Sequence, residues 1–401
     1  MTQPANARTT ILVLGALTAF GPASIDMYLP SLPGIAAEFG VGADRIQATL
    51  GTFFLGFAAG MLVYGPLSDR LGRRPVLSAG IVVYIAASLG CALASDVDML
   101  SLLRFVQALG GGAAMVLARA VVRDRFATDH GVRVLSHMML VTAMAPLLAP
   151  SLGGLLLSWL GWRSIFWTLA LFGLACLVAV RLLVPESLPP ERRHAAGLVE
   201  VVRRYVGLLG HRRAAGYLLT GGAAFGGMMA YVTGSPFAYI RFFGVEPRHY
   251  GLLFGLAVLG IVAGNLINGR LVMGRGHARM LALGAGLAGS AGLLLLIEAL
   301  SGFPALALLV APLVLYVGSI ALTGTNAVAG LMALFPRQAG SASAMFGAAQ
   351  FGIGALGNLC VGLLEDGTPR GMCLVVGCAG LICLAANRVL LRHDAPSESS
   401  M

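Results

Sequence analysis

The ten residues GPLSDRLGRR, at positions 65–74, separate two long apolar runs and decide the fold class of this chain. Gly65 and Gly72 permit a tight turn and close contact between helices, because glycine carries no side chain. Asp69 can face the N-terminus of another helix, where the helix dipole favours a negative group. A basic cytoplasmic loop would explain the arginines but not the spacing of the glycines and the acid. We therefore predict a cytoplasmic gate made of Gly65, Asp69, Arg70, Gly72 and Arg73.

The composition of the whole chain indicates that lipid surrounds most of it. Of its 401 residues, 58% are hydrophobic and only 11% are charged, whereas soluble domains carry about 25% charged residues. The net charge of +10 would suit a nucleic-acid binder in a soluble chain. In a membrane protein, basic residues mark cytoplasmic loops. We predict that the chain contacts the lipid bilayer and no nucleic acid.

Apolar runs of about 20 residues, the length that crosses a bilayer, predict twelve membrane spans. They lie near 10–32, 46–68, 75–94, 97–121, 134–158, 163–184, 214–240, 248–272, 279–299, 303–334, 338–363 and 370–391. The longest polar stretch divides them six and six. The sequence thus predicts an all-α membrane protein of three parts: an N-terminal six-helix bundle at 1–184, a cytoplasmic linker at 185–213 and a C-terminal six-helix bundle at 214–401.

The placement of the basic residues predicts the orientation of the chain. All 27 basic residues are arginines. If both termini are cytoplasmic, twenty-one of them face the cytoplasm and only five lie in outer loops. Cytoplasmic loops of membrane proteins carry the excess of Lys and Arg. We therefore predict that both termini face the cytoplasm. The remaining arginine, Arg104, lies inside the fourth span.

The loop after the second span has a counterpart after the eighth. Gly269 and Gly276 repeat the spacing of Gly65 and Gly72, whereas Met273 stands at the position of the acid. A repeat that keeps its glycines and loses its acid predicts a shared backbone turn. The electrostatic role is then confined to the first half.

Two charged residues within the spans are candidates for coupling protons to substrate. A carboxylate within the hydrocarbon costs about 2.5–3.5 kcal/mol on insertion scales, so Asp26 is expected to face a water-filled cavity or a partner. The alternative is that Asp26 marks a helix end at the outer interface, close to Pro30. Arg104 needs a counter-charge or carbonyl acceptors, and Asp26 is the candidate by type. The alternative for Arg104 is snorkelling toward the outer face near Asp98.

Further candidates lie at the inner end of the fourth span and within other spans. Asp124 is expected to exchange partners with Arg70 or Arg73, or to belong to a solvated loop. Two prolines and two glycines in the fifth span predict a bend and a close-packing face, although prolines are common in membrane helices. Polar span residues either line a substrate cavity or join helices by hydrogen bonds. The predicted cytoplasmic gate also includes Arg119, Arg123 and Asp124, at the inner end of the fourth span. The fifth-span candidates are Pro146, Pro150, Gly153 and Gly154, and our cavity candidates are Tyr28, Tyr231 and Gln350.

Several segments together resemble the major facilitator superfamily and, within it, the drug/proton antiporters of the Bcr/CflA type. The segment 65–74 matches the superfamily signature G-x-L-x-D-R-x-G-R-R without a gap, and the fifth span resembles the antiporter motif with Ala149 where glycine is usual. The other segments are DMYLP at 26–30, RFVQALG at 104–110, RAVVRD at 119–124 and GSPF at 234–237.

The resemblance implies alternating access between two six-helix bundles and export of drug-like molecules, such as bicyclomycin, chloramphenicol or sulfonamides, in exchange for protons. It implies that Asp26 and Arg104 handle substrate and protons, and that Asp69 meets the start of the eleventh span near Gly340. It also implies a monomer in the bacterial inner membrane. No cofactor is expected, because the proton gradient supplies the energy.

Other functions fit the sequence less well. A facilitator that carries one metabolite, such as an amino acid, remains the alternative. A receptor or scaffold is expected to carry a sizeable soluble domain. The sequence contains no Walker loop, GxSxG or HExxH, and we expect no enzyme activity.

Overall fold

The structure is a computed structural model that describes residues 6–125, 128–193, 203, 206–302 and 305–391. Residues 194–202 and 204–205 of the predicted linker lie outside this part. Within the described residues the chain forms helices and turns and contains no strand. This agrees with the apolar composition, because a helix in lipid satisfies its backbone N–H and C=O groups within one segment.

All twelve predicted spans coincide with helices. The first span is broken into α1 (Asn6–Thr18), α2 (Phe20–Asp26), a 3-10 turn (Leu29–Ser31) and α3 (Leu32–Phe39). A π-helical turn, Phe237–Phe242, forms the end of the seventh span. The other helices are α4 (Ala43–Leu71), α5 (Arg73–Ala92), α6 (Val97–Arg125), α7 (Thr128–Leu160), α8 (Arg163–Leu183), α9 (Arg212–Pro236), α10 (Pro247–Ser301), α11 (Leu306–Leu334), α12 (Ala339–Leu363) and α13 (Arg370–Leu390).

The length and apolar character of these helices suit a bilayer. In the part of the chain that the structure describes, eight helices are long and apolar enough to cross a membrane, and nine if the bent first span is counted. That span bends by 42° between Leu12–Thr18 and Phe20–Phe39. The 55 residues of α10 contain the eighth and ninth spans.

Gly72 and Gly276 make the shared turn that the sequence repeat predicts. Gly72 has φ 99° and ψ 153°, and Gly276 has φ 76° and ψ 157°. Side chains rarely tolerate a positive φ, so each glycine separates two spans. Gly65 takes no part in this turn. It lies inside α4, where an added methyl group would meet no described atom within 4 Å.

The helices form two compact units. The first consists of Met1–Gly197 with Pro236–Gly255, and the second of Leu198–Ser235 with Leu256–Met401. The first unit therefore includes the beginning of the predicted linker and the turn between α9 and α10. The predicted division at 1–184, 185–213 and 214–401 stays a prediction.

Small residues allow close packing in the first unit, where α6 contacts both α4 and α5. A methyl group at Gly56 would lie 2.3 Å from the carbonyl oxygen of Phe105. One at Gly110 would lie 2.6 Å from the backbone nitrogen of Tyr84. Glycine lets the helix backbones approach this closely, and residues 110–114 of α6 are buried.

Polar side chains join helices in the second unit. Asn326 of α11 donates a hydrogen bond to Asn268 of α10 over 2.7 Å. Asn358 of α12 donates to the hydroxyl of Thr233 in α9 over 2.9 Å. The sequence left open whether such groups face a cavity or hold helices together, and these four hold helices together.

Candidate functional site

Asp26 lies at the break in the first span, where it is the last residue of α2. It is 4% exposed, and within the described residues its carboxyl group forms no hydrogen bond or ion pair. Asp26 thus ends a helix, as the alternative expected, but it is enclosed rather than at an open surface. An enclosed carboxylate without a partner is unfavourable. This position therefore suits a group that exchanges a proton.

Arg104 lies in the middle of α6 and has no exposed surface. Its guanidinium carbon is 4.2 Å from the ring centre of Phe53 and 4.7 Å from that of Tyr28, which is cation–π geometry. Its Nη1 donates a hydrogen bond to Gln107 Oε1 over 2.5 Å. Its Nε and Nη2 find no partner in the described part of the chain. The site thus holds three N–H groups, one on Nε and two on Nη2, that a negative group can satisfy.

Two expectations for Arg104 differ from the structure. Among the described residues no ion pair joins Arg104 to Asp26. The snorkelling alternative is wrong, because Asp98 pairs with Arg45 over 2.6 Å and Arg104 is fully enclosed. Aromatic rings from α4 and from the break in the first span stabilise its charge instead. No pattern in the sequence places these rings beside it.

Hydrogen bonds continue from the guanidinium of α6 toward the first span. Gln107 Nε2 donates to Ser88 Oγ in α5 over 2.8 Å. Tyr84 lies four residues before Ser88 in α5, and its hydroxyl is 2.7 Å from the hydroxyl of Ser24 in α2. Because its Nε2 donates to Ser88, Gln107 has its Oε1 oriented toward the guanidinium. These side chains therefore hold the surroundings of Arg104 in place, and sequence reasoning did not single them out.

The three predicted cavity residues lie in different surroundings. Tyr28 is buried beside the guanidinium of α6, and its hydroxyl lies 3.0 Å from that of Thr49. Tyr231 is buried within α9. Gln350 is half-buried in α12. Contact of any of them with substrate stays a prediction.

Arg73 is the centre of the predicted gate. It is 5% exposed, and its guanidinium pairs with Asp69 Oδ1 over 2.6 Å and with Asp124 Oδ2 over 2.9 Å. Of the two partners expected for Asp124, the structure shows Arg73 and not Arg70. Asp69, half-exposed, pairs within its own unit. Its contact with the start of the eleventh span stays a prediction.

The remaining gate candidates make fewer contacts. Arg119 and Arg123 lie one turn apart near the end of α6. Neither they nor Arg70 form an ion pair with any described residue. Their part in the gate, like that of Gly65, stays a prediction.

Glu186, which sequence reasoning missed, caps the start of α5. Its carboxylate accepts hydrogen bonds from the backbone N–H groups of Arg73 and Arg74, over 3.0 and 3.1 Å. It also accepts from the backbone N–H groups of Ser187 and Leu188, each over 2.9 Å. A carboxylate there satisfies N–H groups that lack a partner within the helix and complements the helix dipole. The available signal was an acid shortly after the sixth span, but its position in the chain assigned it to the linker.

The fifth-span glycines form the close-packing face that the sequence predicts. A methyl group at Gly153 would lie 2.1 Å from the carbonyl oxygen of Met27, and one at Gly154 would lie 2.8 Å from that of Pro247. The backbone of α7 therefore touches the first span at the residue after Asp26. Both prolines, Pro146 and Pro150, lie inside α7. The predicted bend stays a prediction.

Known proteins resemble this chain over most of its length. A profile of the Major Facilitator Superfamily matches residues 14–358. The chain is 31% identical over 400 residues to a bicyclomycin resistance protein homolog of Haemophilus influenzae, covering 99% of this chain and 100% of that protein. It is 32% identical over 369 residues to a chloramphenicol resistance protein of Pseudomonas aeruginosa, covering 90% and 85%. In fold it is similar to the solved D-xylose-proton symporter, with a TM-score of 0.77, 16% identity and coverage of 96% and 98%.

The profile match begins in the first span and ends in α12, so it includes the candidate gate residues, Asp26, Arg104 and the fifth-span glycines. The similarity in fold extends over both units. The chain is thus a multi-pass membrane protein with twelve helices in two six-helix bundles, and it belongs to the Major Facilitator Superfamily, a family of transporters.

Proposed function

We propose that this chain exports drug-like small molecules in exchange for protons, by alternating access of its two bundles. The observation that carries the proposal is the enclosed, unpaired carboxyl group of Asp26 in a broken membrane helix. An acid in such a place is costly and usually serves a proton or substrate pathway. The relatives named for resistance to bicyclomycin and chloramphenicol supply the class of substrate.

Asp26 and Arg104 are proposed to exchange partners during the cycle. In this conformation Asp26 has no described partner, and the Nε and Nη2 nitrogens of Arg104 have no described acceptor. Ionised Asp26 is complementary to them, whereas protonated Asp26 is not. Binding of a proton therefore releases Arg104 from Asp26, and loss of the proton restores the pair. Gly153 allows α7 to pack closely against Met27, the residue after Asp26. A movement of Asp26 is therefore proposed to move the fifth span as well.

The gate around Arg73 is proposed to open and close the cytoplasmic side. Arg73 already satisfies two acids, of which Asp69 is the more exposed and the freer to change partner. Tyr28, Tyr231 and Gln350 are proposed to contact substrate. Arg70, Arg119 and Arg123 supply further positive charge to the gate.

The location and energy source complete the proposal. The excess of arginine in alternate loops supports cytoplasmic termini, and bacterial relatives support the inner membrane. The chain is proposed to act as a monomer, without a cofactor, with the proton gradient as its energy source.

Accumulation of labelled chloramphenicol in a bacterial strain without its own efflux transporters tests this function. Cells that make the chain are expected to accumulate several-fold less drug than cells with an empty vector. A protonophore is expected to abolish the difference, because it removes the energy source. If the two kinds of cell accumulate each drug equally, for chloramphenicol, bicyclomycin and sulfonamides alike, the result would contradict drug export and favour a carrier of one metabolite. A difference that survives the protonophore would contradict proton coupling.

A further inference from the structure

The first residues after α8 are fastened to the turn between the second and third spans. The carboxylate of Glu186 accepts hydrogen bonds from four backbone N–H groups, two at the start of α5 and two in its own segment. The segment that follows α8 therefore supplies the N-terminal cap of a different membrane helix. α5 itself provides no side-chain cap for these N–H groups.

The surroundings of Gly72 show how closely the segment is held. A methyl group at Gly72 would lie 2.8 Å from Glu186 Oε2 and 2.9 Å from Arg193 Nη2. Arg193 Nε also donates to the carbonyl oxygen of Leu188 over 3.3 Å. The glycine of the gate turn thus leaves the space that the linker side chains fill.

A second contact links the same segment to the charges of the gate. Ser187 Oγ donates a hydrogen bond to Asp124 Oδ2 over 3.3 Å, and the same oxygen pairs with Arg73 Nε over 2.9 Å. Residues 186 and 187 therefore contact both the backbone and the partner acid of Arg73. Displacement of this segment removes support from Arg73 on two sides.

We propose that Glu186 is a positioning residue for transport: it fixes the start of the linker, residues 185–193, to the α4–α5 turn, so that this segment belongs to the cytoplasmic gate of the first unit. The transport part of this inference rests on the proposed function, but the anchoring part does not. Glu186→Gln keeps the size of the side chain, removes its charge and replaces one acceptor oxygen by a donor that faces N–H groups. Loss of a helix cap costs about 0.5–2 kcal/mol, or about two- to thirtyfold in the population of the released segment.

Limited trypsin digestion of the purified protein in lipid nanodiscs tests the anchor. In Glu186→Gln, cleavage after Arg193 is expected to accelerate by about two- to thirtyfold, because proteolysis follows the population of the opened segment. Cleavage after Arg204, farther along the linker, is the internal reference. Glu191→Gln is the matched control, since Glu191 is an exposed acid of the same linker. Equal cleavage rates after Arg193 in wild type and Glu186→Gln would overturn the anchor.

Transport kinetics test the positioning role, with the rate normalised to folded protein in the membrane. We expect Glu186→Gln to lower the maximal rate of drug efflux several-fold and to leave KM within about twofold of the wild-type value, because the substitution displaces the gate and not the binding residues. We expect the control Glu191→Gln to transport at the wild-type rate. Faster cleavage with an unchanged maximal rate would overturn the positioning role and leave a structural anchor. If the wild type transports no drug, the proposed function fails, while the digestion still decides the anchor.

Discussion

The guanidinium of Arg104 is held by aromatic rings and one amide rather than by an acid. Its central carbon lies over the rings of Tyr28 and Phe53, and Gln107 accepts a hydrogen bond from one of its N–H groups. Cation–π contacts that are shielded from water contribute about 2 kcal/mol. The planar shape of the group is therefore as important as its charge.

We predict that Arg104→Lys reduces drug efflux at least tenfold although it keeps the positive charge. A lysine ammonium is compact and has no flat face for the rings of Tyr28 and Phe53. The measurement is the initial rate of efflux per folded protein. Arg45→Lys is the matched control, because Arg45 forms an exposed ion pair with Asp98, and such pairs contribute little. Wild-type efflux by Arg104→Lys would show that charge alone is sufficient.

Gly153 is the residue at which the fifth span touches the first. We predict that Gly153→Ala lowers both thermal stability and efflux, because its methyl group would lie 2.1 Å from a backbone oxygen of Met27. Overpacking of this kind costs about 1–3 kcal/mol. Thermal unfolding of the purified protein measures the effect. Gly34→Ala is the control, since a methyl group there meets no described atom within 4 Å. Equal melting temperatures for the two variants would contradict this contact.

At the residue scale, the sequence indicated which residues are candidates for function better than it indicated their contact partners. A charge in an apolar run is visible by composition, so Asp26 and Arg104 could be selected. Their partners could not, because the cage of Arg104 combines α4, α6 and the break in the first span, which are far apart in the chain. Glu186 was missed for the same reason: it caps a helix that begins more than one hundred residues earlier.

The turns at Gly72 and Gly276 show how an element is reused. Both glycines have a positive φ and an extended ψ. Only Gly72 is surrounded by side chains, those of Glu186 and Arg193, whereas the position of a methyl group at Gly276 is open within the described structure. The same backbone turn is thus packed against other side chains in the first half and open in the second.

We predict that Gly72→Ala is more damaging than Gly276→Ala. Both variants place a side chain in a backbone region that is essentially restricted to glycine, at a cost of about 1–3 kcal/mol. Only Gly72→Ala also displaces the carboxylate of Glu186. Melting temperatures and efflux rates of the two variants, measured side by side, check this. Equal losses would show that the backbone strain alone matters and that the fastened linker contributes nothing.

At the element scale, the lengths of the apolar runs were sufficient to locate the helices. Spans of about 20 apolar residues have few alternatives in lipid, so all twelve could be located. Run length alone did not predict the break in the first span, because its apolar run continues through Asp26 to Pro30. Prolines were the available signal: Pro30 and Pro33 stand in the first positions of the 3-10 turn and of α3, where proline is favoured.

In the whole molecule, each compact unit has its own network of buried polar contacts. The first encloses the coupling and gate residues, and the second is joined by its asparagine bonds. Both proposed moving charges, at Asp26 and Asp69, therefore belong to the first unit. The beginning of the linker, anchored by Glu186, belongs to the same unit.

Proton exchange in inside-out membrane vesicles tests the central claim most directly. The vesicles are energised to an acidic interior, a pH-sensitive dye follows the gradient, and chloramphenicol is added. We predict partial collapse of the gradient with wild type and with Asp98→Asn, whose carboxyl group is exposed, and no collapse with Asp26→Asn. Equal collapse with Asp26→Asn would contradict the role of Asp26 in coupling. No collapse with wild-type protein for any of the drugs, with its presence in the membrane confirmed, would contradict proton-coupled drug export.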